Sequence, residues 1–252
     1  MPLPASSDLS TLLKPPDILQ CKRVLCVQPH PDDNEIGMGG AIAALTESGC
    51  EVHYLTVTNG DQGNLDSGAT PEKTAVIRHA EAEAAGRHLG ASHFHFLGHG
   101  DGTLSDVHGL SVEIAGVIRK VKPDAVFCPD PWLAYESHWD HIVTGRAVAN
   151  AFMMSGRSHF PDNEKPWRAE AIAYYFTANP NTVIDISNTF QRKFEAIALH
   201  KSQIDDQTLA MYRFYFEMKA RELAQEKGFA LGEGLKVLGG IHSHCFVDAN
   251  KI

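Results

Sequence analysis

The sequence predicts an α/β fold, Rossmann-like, with a mostly parallel sheet, helices on both faces and a small α+β C-terminal extension. Three observations lead there. From residue 23 onward, short apolar runs alternate with helical patterns; the run at 51–58 is rich in β-branched residues; and each of the first four runs is followed by a polar loop. Connections of this kind are right-handed crossovers between parallel strands, which fit a doubly wound sheet.

The elements follow in order. Residues 23–28 (RVLCVQ) read as the first strand, and residues 40–48 (GAIAALTES) as a helix stopped by Gly49. Residues 51–58 (EVHYLTVT) are a strand closed by the turn pair Asn59-Gly60. Residues 71–89 form a long helix, with Pro71 suited to its first turn and Ile77, Ala80 and Ala84 recurring at helical spacing. A third strand is expected at 92–97, a helix at 110–121 and a fourth strand at 125–129. Past residue 160 the pattern loosens into strands at 171–176 and 182–186 and helices at 189–200 and 207–227. No repeat or linker interrupts the chain, so residues 1–252 are read as one domain, with a core at 23–160 and an extension at 161–252.

Composition narrows the function. The chain has 252 residues, 43% hydrophobic and 21% charged, as in soluble globular proteins. A net charge of −9 offers no basic footprint for nucleic acid or an anionic membrane. No run approaches the roughly 18 apolar residues of a membrane span, and the Pro-rich N-terminus lacks a signal-peptide pattern. A cytoplasmic location is expected. The five cysteines are scattered with no C-x-x-C pair, which predicts free thiols, buried at Cys26, Cys50 and Cys128.

In open α/β sheets ligands sit beyond the carboxyl ends of the strands. The loops expected there are 30–33, 59–64, 98–103 and 130–141, and two of them carry chemistry. The first reads His30-Pro31-Asp32-Asp33; the second ends His138-Trp139-Asp140-His141. Two histidines and a carboxylate are a familiar ligand set for a catalytic zinc, with a fourth position left for water. A neighbouring unliganded carboxylate can take that water's proton, and Asp32 and Asp33 offer both roles. The bland reading of Asp32-Asp33 is a helix N-cap. The remaining histidines, His53, His93, His95 and His200 among them, are read as structural or solvated.

The stretches PHPDDNEIGMGG and SHWDH together resemble the PIG-L/LmbE family of zinc-dependent N-acetylglucosaminyl deacetylases, with its H-P-D-D and H-x-D-H motifs. TNGDQG, IRHAEAEAAGRHLGA and YYFTANPNTVIDIS extend the resemblance over most of residues 23–200, toward the family's archaeal diacetylchitobiose deacetylases. The resemblance implies one Zn²⁺ per chain on His30, Asp33 and His141, with Asp32 as general base and His138 assisting the oxyanion or the leaving group. Asp140 is a plausible partner orienting one of the histidines. Arg78, in a segment similar to the family's R-x-x-E, is implied to reach the site; the alternative is a surface pair with Glu81. Asp101, in the rim segment 98–104, is read as binding a sugar hydroxyl or shaping a turn, and 135–137 is the other expected rim. Near the C-terminus His242 and His244 alternate as on a strand and share a face; the resemblance to the chitobiose branch implies that a late histidine helps polarise the substrate carbonyl, His244 being the candidate with His242 open beside it, and the alternative is an exposed terminal strand.

The implied reaction is hydrolysis of an N-acetyl group, with zinc polarising the carbonyl and Asp32 taking the proton of water. Asp32 or His138 then protonates the leaving nitrogen, an alternative the sequence leaves open. The implied substrate is a small amino sugar, diacetylchitobiose or GlcNAc, with GlcNAc-inositol and GlcNAc-malate as alternatives; a homo-oligomer, hexameric in the chitobiose branch, is implied too. Rival readings are weaker. A non-haem iron oxygenase shares the ligand set, but such triads usually sit in all-β jelly rolls. A nucleotide-binding module lacks the G-x-G-x-x-G spacing at Gly37-Met38-Gly39-Gly40. A non-catalytic sugar- or metal-binding protein leaves the base without a purpose.

Overall fold

The first apolar run has no polar side because both faces of the strand it forms are covered, as in parallel sheets generally. A computed structural model describes residues 14–63, 68–159 and 164–252; residues 1–13 of the Pro-rich lead-in and Asn64 of the second loop lie outside them. The strands are β1 (Arg23–Gln28), β2 (Glu51–Thr58), β3 (His93–His99), β4 (Ala125–Pro129), β5 (Ala171–Tyr175), β6 (Thr182–Asp185) and β7 (Gly232–Gly239). The helices are α1 (Asp33–Glu47), α2 (Pro71–Leu89), α3 (Val107–Val121), α4 (Trp139–Met154), α5 (Phe190–Ile197) and α6 (Asp206–Leu223).

One seven-stranded sheet runs in the order β3-β2-β1-β4-β5-β7-β6. β3, β2, β1, β4 and β5 are parallel neighbours, and β7 runs antiparallel to both β5 and β6. Alternate residues of β1 feed opposite cores. Val24 and Cys26 pack with α1, α2, α5 and α6 through Ile42, Leu45, Leu89, Phe194 and Ala220. Leu25 and Val27 pack with α3 and α4 through Ile114, Ile118, Val148 and Phe152. Burying a side chain of this size contributes about 1.5–3 kcal/mol, so this three-layer arrangement is what the alternating pattern encodes. The described cysteines are all free, with Cys26, Cys50 and Cys128 buried as expected. Among the described residues no helix is long and apolar enough to cross a membrane.

Several boundaries differ from expectation for local reasons. α1 begins at Asp33, and a kink at Met38 (φ −150°, ψ 25°) separates its first turns from the helix expected from residue 40; the glycines beside the kink are packing contacts, since a Cβ on Gly37 would lie 2.4 Å from the Tyr175 ring and one on Gly40 2.8 Å from Ile186. α3 starts at Val107, where the Asp106 carboxylate accepts the Gly109 N–H at 2.8 Å. α6 starts after Asp205, which caps Thr208 at 2.7 Å. β3 runs on to His99, and β5 stops at Tyr175 because Phe176 turns the chain with φ 54°. The expected terminal strand is instead β7, buried between β5 and β6 and ending at Gly239, before His242 and His244. The helix α4 was not anticipated.

β2 and β3 lie on one side of β1 and β4 on the other. The chain order reverses there, which opens a crevice beyond the carboxyl ends of β1 and β4.

Candidate metal centre

The loop after β1 turns sharply into α1. Asp32 sits at φ 141°, ψ −22°, a backbone conformation sparsely populated by non-glycine residues. It occupies the N-cap position, yet its side chain makes no cap hydrogen bond, so the N-cap reading of Asp32 fails. Its carboxylate meets the Arg78 guanidinium instead, Oδ2 to Nη2 at 3.3 Å. Asp33 folds back: its Oδ2 accepts the His30 backbone N–H at 2.8 Å and lies 3.2 Å from His30 Nδ1.

The loop after β4 delivers the second half from the first turn of α4. His141 Nε2 lies 3.3 Å from Asp33 Oδ1. The His30 ring centroid is 4.4 Å from that of His138 and 5.3 Å from that of His141. The donor atoms of His30, Asp33 and His141 all fall within 4.8 Å of one another, as do those of His30, His138 and Asp140. The ring nitrogens sort these sets. His30 turns Nδ1 toward Asp33 and Nε2 toward two other carboxylates, Asp101 Oδ1 at 3.1 Å and Asp140 Oδ2 at 3.3 Å. Metal-bound histidines characteristically donate their second ring N–H to a carboxylate. Asp140, fully buried, is already engaged, accepting the N–H groups of Gly102 at 2.7 Å and Leu104 at 3.2 Å. The first set is therefore the one whose lone pairs are free to converge on an ion. His141 Nδ1 is buried without a hydrogen bond, with Glu136 Oε2 3.7 Å away.

The electrostatics say the same. Burial alone would lower the pKa of His30, but hydrogen bonds from its ring to the carboxylates of Asp101, Asp140 and Asp33 carry it up to about 12. Three carboxylates, those of Asp33, Asp101 and Asp140, surround this ring, and such a concentration of negative charge suits a bound cation. Burial opposes ionisation of Asp33, yet the charges and contacts of His141 and His30 hold it well below the usual carboxylate range. Burial and the adjacent Asp33 charge push Asp32 up to about 6, against the pull of Arg78, His200 and His30. His138, an exposed N-cap, is shifted down by burial of its ring and by the charges of His30 and His141.

Arg78 joins the loops. It donates from Nη1 to Gly60 O at 2.9 Å and from Nη2 to Pro31 O at 3.1 Å, and lies 3.7 Å from Asp101 Oδ2. It is only 4% exposed, and Glu81 pairs instead with Ser202, so the surface-pair reading of Arg78 is excluded. Asp101, expected at the rim, is buried against His30 and Arg78. His244 is corrected as well: it stands exposed in a turn after β7, beside Cys245, with no described contact to the metal cluster. His242 is buried, and its Nδ1 accepts the Gly239 N–H at 3.0 Å.

A cleft of about 1030 Å³ adjoins the cluster, sharing Asp33 and His141 with Leu133, Glu136, Phe176, Tyr212 and Phe216. Most of this lining comes from α6 and the segments after β4 and β5. The sequence pattern did not single out Phe176, whose ring stacks on His141 with centroids 6.1 Å apart, or Tyr212, raised in pKa by burial and by the Asp32 and Asp33 charges. Fully buried His200, paired with Glu35 at 3.3 Å, was also passed over. Its signal, a lone histidine ending a helical pattern, is too common to choose.

The chain resembles proteins of known activity. Residues 25–152 match the family model PIG-L, GlcNAc-PI de-N-acetylase. The diacetylchitobiose deacetylase of Thermococcus kodakarensis is 35% identical over 236 residues, covering 92% of this chain and 88% of that protein. A probable N-acetyl-α-D-glucosaminyl L-malate deacetylase of Bacillus cereus is 33% identical, over 73% of this chain and 84% of its own length. The structure of N,N′-diacetylchitobiose deacetylase from Pyrococcus horikoshii, in complex with an inhibitor, superposes with a TM-score of 0.87 at 33% identity, covering 92% of this chain and 90% of that one. With the motif loops meeting at the switch point of the same fold, the chain belongs to the PIG-L family.

Proposed function

We propose that the protein is a zinc-dependent hydrolase that removes the N-acetyl group from N-acetylglucosamine-containing saccharides, diacetylchitobiose foremost. The observation that carries this reading is the convergence of His30, Asp33 and His141 beside an unliganded Asp32, next to a cleft of about 1030 Å³. The same substrate class is named for the relatives from Thermococcus and Bacillus.

His30, Asp33 and His141 are the residues that would hold the ion. When bound, zinc supplies a Lewis acid for the amide carbonyl and acidifies water to a pKa of about 7. Asp32 acts as the base. Arg78 occupies its Oδ2, which leaves Oδ1 to take the proton of the attacking water. A carboxylate that makes no cap hydrogen bond and keeps one oxygen unpaired can both accept that proton and return it. His138, exposed beside His30, faces the oxyanion or the leaving nitrogen as a hydrogen-bond donor. Asp140 and Asp101 act through His30 by holding Nε2, and Arg78 acts through Asp32, so these three position the groups that react. The aromatic lining of the cleft suits the apolar faces of sugar rings.

The reading includes a homo-oligomer. α6 exposes Met211, Phe214, Tyr215 and Met218 as one apolar row, between 50% and 68% accessible, a patch of the kind that marks subunit contacts. Sedimentation of the purified chain tests this part. The activity is tested by amine release from N,N′-diacetylchitobiose, GlcNAc and GlcNAc-malate with zinc-loaded protein, beside Asp32→Asn. Release that vanishes in the variant while zinc stays bound is expected. Substantial turnover by Asp32→Asn removes Asp32 from the base role, and no release from any of the three sugars overturns the substrate class.

A further inference from the structure

A second histidine cluster lies at the opposite end of the sheet. β2 begins Glu51-Val52-His53 and β3 begins His93-Phe94-His95. Their parallel register pairs His53 with His93 and Leu55 with His95. Residues two apart on a strand share a face, so Glu51, His53, His93 and His95 all project from the side that carries α3. At about 3.3 Å per residue, His53 stands roughly 20 Å along β2 from the loop that follows it, so this cluster is separate from the site at the carboxyl ends.

The donors converge. Glu51 Oε1 lies 2.9 Å from His53 Nε2 and 3.2 Å from His93 Nε2, and these three atoms fall within 4.8 Å of one another. Donors about 2.1 Å from a tetrahedral ion stand about 3.4 Å apart, so this spacing suits one small transition-metal ion. The surrounding contacts orient the ligands. Arg23 Nε holds the other Glu51 oxygen, Oε2, at 2.9 Å, which turns Oε1 toward the rings. His53 Nδ1 meets His95 Nε2 at 3.2 Å, the contact that selects which His53 nitrogen faces Glu51. The His53 and His93 rings stack with centroids 4.3 Å apart. None of these residues is used by the chemistry at the other end of the sheet.

We infer that Glu51, His53 and His93, with His95 orienting His53, form a second metal site for a divalent ion of the zinc, nickel or copper class, bridging edge strand β3 to β2. Imidazole with one carboxylate suits these ions rather than magnesium or calcium.

The test is equilibrium dialysis of the full-length protein and of His93→Ala against micromolar zinc, followed by metal analysis per chain. His93 is half exposed, so its removal leaves the core intact. The difference between the two proteins is the readout, whatever the site at the carboxyl ends holds. The expected result is one ion per chain fewer in His93→Ala, with amine release unchanged. Glu51→Gln should weaken the same ion, and copper loading should give a second copper signal in the electron paramagnetic resonance spectrum, beside that of the site at the carboxyl ends, that is absent in His93→Ala. Equal zinc content in wild type and His93→Ala overturns the site.

Discussion

Asp32 carries a backbone cost that a pair of substitutions can isolate. Its φ of 141° and ψ of −22° belong to a region where a non-glycine residue is strained by about 1–3 kcal/mol. Asp32→Ala and Asp32→Gly both delete the carboxylate, so the loss of the Arg78 contact and the relief of repulsion from Asp33 are common to them. They differ in the Cβ that makes this conformation unfavourable and in the extra chain freedom of glycine, which costs about 0.5–1 kcal/mol. The glycine variant should therefore be the more stable of the two by about 0.5–2 kcal/mol. Urea unfolding of both, stripped of metal by a chelator, reads this as a midpoint higher by a few tenths of a molar at an m-value of about 3 kcal/mol/M. Neither variant should turn over substrate. An alanine variant as stable as the glycine variant refutes the strain, and with it the idea that the loop holds Asp32 in place against its own backbone preference.

His141→Ala should lower metal content after dialysis, because Asp33 loses the ring that faces it at 3.3 Å; full metal with a normal rate sinks the ligand assignment. Arg78→Ala should destabilise by about 3–5 kcal/mol, since it leaves buried carboxylates unpaired, and should slow amine release; a change below about 1 kcal/mol in chemical denaturation shows that the guanidinium is dispensable. In Gly145→Ala the new Cβ would meet the Pro129 carbonyl oxygen at 2.5 Å and Pro131 at 2.8 Å. Neither contact is a flexible side-chain tip, so the start of α4 must shift, costing about 1–3 kcal/mol and reducing turnover because α4 carries Asp140 and His141. A thermal midpoint and rate equal to wild type contradict that account.

Much of the architecture was legible along the chain. β1, β2, α2 and β4 appear at the expected residues, because each has a clean period and a clear stop: the left-handed Gly90 after α2, or the polar loops after the strands. Expectation slipped where a residue is chosen by a partner far away. Residues 37–40 look like a loop and instead hold a kink at Met38 (φ −150°, ψ 25°) inside α1, where Gly37 and Gly40 pack against Tyr175 and Ile186. The helix α4 was masked by the interest of its first residues. The segment holding His242 and His244 reads as an edge, yet the strand before it is interior because β6 covers it.

The metal loops show the same division. That His30, Asp33 and His141 converge, with Asp32 beside them, was readable from residue types, spacing and family resemblance. That Asp101 and Arg78 are interior supports rather than rim groups was not. His30 meets Asp140 across 110 positions of sequence, and Arg78 spans the loops after β1, β2 and β3. The sequence by itself determined the alternation of strands and helices and the polar loops at one edge, because those are properties of neighbouring residues. Only the tertiary structure decided which carboxylates each nitrogen of His30 meets, and how Glu51, His53 and His93 gather at the far end of β2 and β3. Those depend on strand order and register, which bring together side chains that no local pattern relates.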